Sequence, residues 1–505
     1  MTPELRKTLA FVVVAILLTG AAYLSVADRS ATHTAFDDPG PPFFPDFKDP
    51  LACTDLEVVD YESSTASRRP FKVMLKDGKW VIPSHHDYPA DAKDRLAKTS
   101  AGVIDLTKDT IKSDRVEDQE AFGVLDPTDD KVTAFQGLGK LVRLRDKTQK
   151  ILAEFIIGKE VRDRSGQRYV RVPGQKRTYG VNVKVDLSTR FADWIETNLL
   201  KAESSRVRSV RFDNHKVDPE AGRIIPGETL TIDKAGDTAP WTFQGEIPAG
   251  SELNTEKISA MTTALADLKI IGVRPKPEGL SRDLKVAKSG DVKPSNRAEL
   301  NSLISKGFYP TPQGFYSNQG DVVFRTDEGA VYTLRFGEVV FATGEQLSAG
   351  GKDEGKDAAK KAEGATESRY LLVTVAFDSS LVPEPAKPKE QQAIPDDPFQ
   401  KAPNDPKRVA EEEAARKKFE GEKADRERRI AEAGKKVKAL SDRFADWYYV
   451  TPGDSFRTIA LDRAALMRPK SDKPDNASPG GTPSGFPGGL PPGFPGGMPP
   501  GFQHP

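Results

Sequence analysis

The chain has a single cysteine, Cys53, in 505 residues. An intramolecular disulfide is therefore excluded, and so is a zinc site of the cysteine type. Net charge is also missing, since 75 Lys+Arg balance 75 Asp+Glu; this argues against a globally basic nucleic-acid binder. Hydrophobic residues make up only 37% and charged residues 30%. That balance fits folded domains diluted by polar insertions, in a chain long enough for two or three domains. Histidines are scarce and cluster once, at His85-His86-Asp87. Adjacent residues on a strand point to opposite faces and chelate one ion poorly, so the triplet reads as a solvent-exposed loop just before a helix. A Gly-x-Ser-x-Gly elbow is absent. Gly350 to Lys356 has phosphate-loop spacing, but Asp357 stands where a Mg-binding hydroxyl is needed, in a polar stretch rather than between a strand and an apolar helix. With 75 acids present, no carboxylate pair stands out. No catalytic, cofactor-binding or metal residue is assigned, and the chain reads as a non-enzyme.

Only one apolar run reaches spanning length, from Leu9 to Val26 (LAFVVVAILLTGAAYLSV). A run of about 18 such residues can just cross a bilayer as a helix. Arg6 and Lys7 precede it, so residues 1–8 are expected in the cytoplasm, 9–27 as a transmembrane anchor and the bulk of the chain outside the cell's inner (cytoplasmic) membrane. The competing reading is a signal peptide cleaved after Ser25-Val26-Ala27. Residues 28–54 are rich in Asp, Pro and Phe and read as an extended spacer, although Phe43, Phe44 and Phe47 could equally pack on the first domain.

What the chain does contain is a repeat. Arg190-Phe191-Ala192-Asp193-Trp194 returns letter for letter as Arg443-Phe444-Ala445-Asp446-Trp447, each copy led by a Leu-Ser pair, Leu187-Ser188 and Leu440-Ser441. Around it, a pattern of elements recurs. Phe71–Leu75, the turn signal Asp77-Gly78 and Lys79–Ile82 read as a hairpin. Ala92, Leu96, Val103 and Leu106 fall on one helical face. Leu141–Arg145 with Ile151–Ile157 read as a second hairpin, followed by strands at Arg168–Val172 and Thr178–Val183 and a helix at Leu187–Leu200. In the second half, Glu228–Ile232, Trp241–Phe243, a helix capped by Asn254 with Ile258, Met261, Leu265 and Leu268 on one stripe, the hairpin Asp321–Asp327/Ala330–Glu338 and Arg369–Val373 follow the same order. The fold expected is α+β: two tandem related domains of antiparallel sheet plus helices, at 55–202 and 203–468, each closed by an Arg-Phe-Ala-Asp-Trp helix. On that helix the aromatics pack against the sheet and the Arg and Asp are exposed or salt-bridged; the other reading is a partner-binding surface used twice. Polar insertions are expected at 345–368 and 383–440, the latter holding a charged, solvated helix at 407–440. Residues 469–505, a Gly/Pro/Phe low-complexity tail, cannot bury a core and are expected to be disordered.

The run Asp77-Gly78-Lys79-Trp80-Val81-Ile82-Pro83, Tyr88-Pro89-Ala90-Asp91, Phe122-Gly123-Val124-Leu125-Asp126-Pro127, Ile157-Gly158-Lys159 and Arg168-Tyr169-Val170-Arg171 resembles the bacterial domain-of-unknown-function family four-three-four-zero over about residues 56–200. Residues 206–449 look like a diverged copy lacking the Tyr-Pro-Ala-Asp and Gly-Val-Leu-Asp-Pro elements. The resemblance implies a single-pass envelope protein, an accessory of an ABC-type export or gliding-like permease, and carries over no catalytic residue. The expected role is thus a membrane-anchored accessory or scaffold that binds an ABC-type permease and no nucleic acid. The alternatives are a binding module for a cell-envelope polymer or small ligand, and an envelope hydrolase.

Overall fold

The computed structural model describes residues 40–470 apart from 63–66, 133–135, 163, 278–279, 281–283, 285–296, 351–365 and 388–405. The expected anchor at 9–27 and the tail from 471 onward lie outside the described residues. Among the described residues no helix is long and apolar enough to cross a membrane.

Alternating sequence builds two large antiparallel sheets, as an α+β reading requires. The first runs edge to edge through Tyr88–Pro89, Lys79–Ile82, Ser67–Lys76, Asp55–Glu62, Lys140–Arg145, Ile151–Glu160, Gln167–Arg171, Thr178–Asn182 and Thr110–Ser113. The second runs through Trp241–Phe243, Thr229–Lys234, Val207–Asp213, Asp321–Thr326, Ala330–Phe341, Glu367–Phe377, Trp447–Pro452 and Gly272–Pro275. Leaving aside the two-residue edge strand Tyr88–Pro89, the spatial order is the same in both: third, second, first, fifth, sixth, seventh, eighth and fourth in chain order. In each sheet a helix fills the gap between the third and fourth of these strands, Lys93–Ile104 in one and Thr255–Ala266 in the other. Local chemistry sets these elements. Asp77 and Gly78 take φ of 50° and 76°, the left-handed pair a two-residue hairpin turn needs. Asn254 accepts the Lys257 amide at 3.1 Å and so caps its helix.

The sheets share one core. A single cluster of buried side chains takes Leu56, Val73, Val142 and Phe155 from the first sheet and Phe212, Ile232, Leu334 and Val373 from the second, with Leu96 and Leu265 from the two helices. The other face of the first sheet carries an ion ladder, in which Glu57 binds Arg143 and Arg145 and Asp55 binds Arg145 and Lys72, beside a small apolar cluster of Val59, Val124, Leu141 and Ile156. The other face of the second sheet holds a separate apolar cluster, where Tyr370, Leu372 and Val450 meet Phe308 and Phe315 of a small hairpin.

Three expectations need correction. Leu187–Leu200 is not a helix: only Phe191–Trp194 forms a 3-10 turn, and Arg190 and Ile195 on either side are extended. Short polar side chains capture this backbone, with Ser188 Oγ accepting the Arg190 amide at 3.2 Å and Asn198 Oδ1 accepting the Lys201 amide at 2.7 Å. The repeated motif also does not close both halves. Its second copy ends the long helix Pro406–Ala445, which thus outruns the expected 407–440, and leads into the strand Trp447–Pro452. The first copy follows the equivalent strand, Thr178–Asn182. Third, the expected spacer is part of the fold from residue 40 on: Phe43 and Phe47 are core residues, and Pro42 bridges to Thr107.

Candidate binding cleft

Pro83 ends the third strand, and a 3-10 turn Pro83–His85 follows. His86 and Asp87 then adopt φ of 58° and 59°, an uncommon conformation for residues with a Cβ. Two bonds hold it: Asp87 pairs with Lys76 at 2.7 Å, and His86 Nε2 donates to the Ala349 carbonyl at 2.8 Å. The tight turn sends His85 inward, where it is 3% exposed. His85 therefore departs from the solvent-exposed loop expected of the pair, whereas His86 is exposed as expected. The His85 ring lies parallel to Phe191, with centroids 4.2 Å apart. Its Nδ1 is 2.9 Å from Ser84 Oγ and its Nε2 is 2.9 Å from Ser348 Oγ. These bonds close when Nε2 carries the proton: it donates to Ser348, whose hydroxyl donates to the Gly344 carbonyl at 3.2 Å, and Nδ1 accepts from Ser84. Burial first, then the neighbouring charges of His86 and Arg274, push the His85 pKa from 6.5 down to about 4.

Ser348 and Ala349 belong to a short helix, Gly344–Ser348, and its end, contributed by the second half of the chain. Arg274 holds this helix. Its guanidinium is buried and donates to the carbonyls of Gln346 and Leu347 at 3.0 and 3.2 Å. Gly272 allows the close approach, because a Cβ there would run into the Leu347 carbonyl. Between the short helix and the first half lies a cleft of about 290 Å³. Phe71, Phe191 and Ile271 supply its apolar lining, and Arg69, Arg190 and Glu345 its charges.

Both copies of the repeated motif meet at this seam. The first supplies Arg190, Phe191 and Ala192 to the cleft, and Arg190 forms a two-point pair with Asp193 at 2.9 and 3.0 Å. Trp194 is fully buried and donates through Nε1 to the Ser188 carbonyl at 2.9 Å. From the second copy, Arg443 donates to the carbonyls of Glu196, Asn198 and Leu199 at 2.6, 2.8 and 3.3 Å. Tyr88 sits between the copies, its ring 5.7 Å from Phe191 and 4.9 Å from Trp447. The aromatics thus pack as a core reading expects, while Arg443 is neither exposed nor salt-bridged but ties one half to the other.

The Ser348–His85 contact has the spacing of a nucleophile and its base. Its chemistry points elsewhere. The far nitrogen faces a hydroxyl rather than a carboxylate, and an imidazole with a pKa of about 4 is a poor proton acceptor. The set works as a latch between the halves. Among the described residues, no three His, Cys, Asp or Glu side chains gather to hold a metal. Sequence reasoning found the histidines but not their partner, because Ser348 and Ala349 fall in a polar stretch read as an insertion, and nothing local marks a contact across 263 positions.

Residues 80–283 match the family model of a domain of unknown function, DUF4340. This stretch resembles that family. The match starts later than residue 56 and runs on past residue 200, from the third strand of the first sheet through the fourth strand of the second. It therefore includes the first motif copy, His85 and Arg274. No curated protein and no solved structure matches the chain.

Proposed function

We propose that the chain is a membrane-anchored extracytoplasmic accessory or scaffold of an ABC-type transport complex, made of two related tandem domains and acting by binding. The observation that carries the reading is the pair of sheets with one strand order, fused over a common core with a cleft at their seam. Such an architecture presents the outer faces of two sheets, joined over one core, for binding. Equal order over eight strands, each set with a helix in the same gap, supports an origin by duplication. The apolar run Leu9–Val26 supports the anchor, which would hold the folded part beside a permease on the extracytoplasmic side of the inner membrane. The test is extraction in mild detergent: the full chain should co-purify with an ABC-type permease, and should lose it when residues 1–27 are replaced by a cleavable signal. A soluble form that supports transport unaided would refute the anchored role.

A second reading, a binding module for an envelope polymer or a small ligand, is favoured by the cleft itself. It expects retention on isolated envelope material, or binding of a soluble ligand, in the absence of any permease.

A further inference from the structure

We propose that the seam cleft is a seat for the anionic end of a small organic ligand, a carboxylate or phosphate on a compact apolar body. The proposal rests on the ligand-binding reading above. Three features of the cleft converge on this chemistry. The first is a pair of arginines in the lining. Arg69 comes from a strand of the first sheet, and Arg190 from the segment entering the first motif copy. Arg190 is anchored through Nε and Nη2 to Asp193, yet its side chain is 81% exposed. Anchoring fixes the guanidinium, and its remaining N–H groups stay available to a second acceptor. The second feature is a hydroxyl: Thr189 lines the same space and can donate to an anion, while Ser84 and Ser348 line it with their hydroxyls held by His85. The third is the apolar lining of Phe71, Phe191 and Ile271. Apolar surface beside the charges would strengthen their attraction for an anion. A volume of about 290 Å³ suits a small molecule or the terminal unit of a longer one.

Glu345 gives the proposal its sharpest test. It is the acid among the cleft's charged side chains and opposes an anion there. Removing its charge should tighten anion binding, a gain that a damaged fold does not produce. The cleft is also walled by both halves of the chain, so an occupant contacts both and stabilises their union.

The experiment is calorimetric titration of the full chain in detergent with isobutyrate, isopropyl phosphate and the neutral isobutyramide, against a detergent blank. Saturable binding of the anions, with the amide weaker by about tenfold or more, supports the seat. Isobutyrate alone identifies a carboxylate ligand, and isopropyl phosphate alone a phosphate. Glu345→Gln should tighten the bound anion several-fold. The double variant Arg69→Gln/Arg190→Gln should abolish binding while keeping the wild-type circular dichroism spectrum. The proposal fails if the amide binds as well as the anions, if no probe saturates, or if Glu345→Gln leaves the affinity unchanged. None of these failures affects co-purification with a permease, so the scaffold role stands or falls separately.

Discussion

At the scale of single residues, the seam depends on two side chains whose removal has calculable effects. His85 is buried and bonded as a neutral imidazole, with a pKa of about 4 against an ordinary 6.5. The groups packed around it are Ser84, Ser348, Phe71 and Phe191, and the neighbouring charges are His86 and Arg274. Between these two pKa values the unfolded chain binds a proton that the folded chain refuses. The stability contribution is therefore complete above pH 6.5 and is lost as pH falls toward 4. At 1.36 kcal/mol per pH unit, the loss is about 3 kcal/mol. Denaturant titrations at intervals from pH 7 to pH 4 should show this slope in the wild type and a shallower one in His85→Gln, in which the buried imidazole no longer contributes. Equal slopes would mean that the buried imidazole is not responsible. Arg443 makes a different kind of contribution. Three carbonyls depend on its guanidinium, and they lose their donor in Arg443→Met. The expected cost is about 2–4 kcal/mol, read as a lower denaturation midpoint. Arg443→Lys should recover only part of it, since an ammonium cannot span the same fork. A loss under about 0.5 kcal/mol, the range of surface substitutions, would show that the tie is decorative.

Among the elements, the long helix Pro406–Ala445 divides in two. Its last turns bury Val437, Leu440 and Phe444 in the common core, whereas its course from Val409 through Lys436 is mostly exposed. Opposite charges three or four apart, such as Arg416–Glu420 and Lys418–Glu422, support the exposed part. Gly421 interrupts it, and a Cβ there would meet nothing within 4 Å. Gly421→Ala should therefore firm the helix locally by about 0.5–1 kcal/mol. Amide exchange around residue 421 should slow by a few-fold, with the core strands unchanged; faster exchange would mean that the glycine serves a bend. The helix was legible in its charge spacing, and the hairpins in their alternation and Asp-Gly turn. Less legible were the pairings of Asp55–Glu62 with Lys140–Arg145 and of Gly272–Pro275 with Trp447–Pro452. Such pairs join strands far apart in sequence, and register across that distance leaves no local mark. The motif misled for a related reason. Five identical letters form a 3-10 turn after Ser188-Thr189 but finish an α-helix after a long run of helix formers, because context outweighs the propensity of so short a segment.

For the molecule as a whole, the two equal strand orders suggest two domains, and the core says that they unfold together. The main cluster is continuous from Phe43 to Leu466. The segment Phe191–Leu200 gives side chains to it, while its backbone bonds to both halves: Trp194 carbonyl to the Asp91 amide, Leu199 amide to the Leu268 carbonyl, and Thr197 carbonyl to the Ile270 amide, at 2.8–2.9 Å. Separating the halves would expose Tyr88 where it meets Trp447 and the Tyr332 hydroxyl bonded to the Leu200 carbonyl, and would strip Arg443 from the Leu199 carbonyl. At about 25 cal/mol per Å² of apolar surface, exposing several such side chains costs as much as a small domain's whole stability. The described body should therefore melt in one transition, with near-ultraviolet dichroism (Trp194 and its neighbours) and far-ultraviolet dichroism coincident. Residues 55–202 produced alone should lack a stable fold and bind a hydrophobic dye. Two resolved calorimetric transitions, or a well-folded 55–202 fragment, would show instead that the seam joins independent domains, and the cleft between them would then be a hinge rather than a rigid seat.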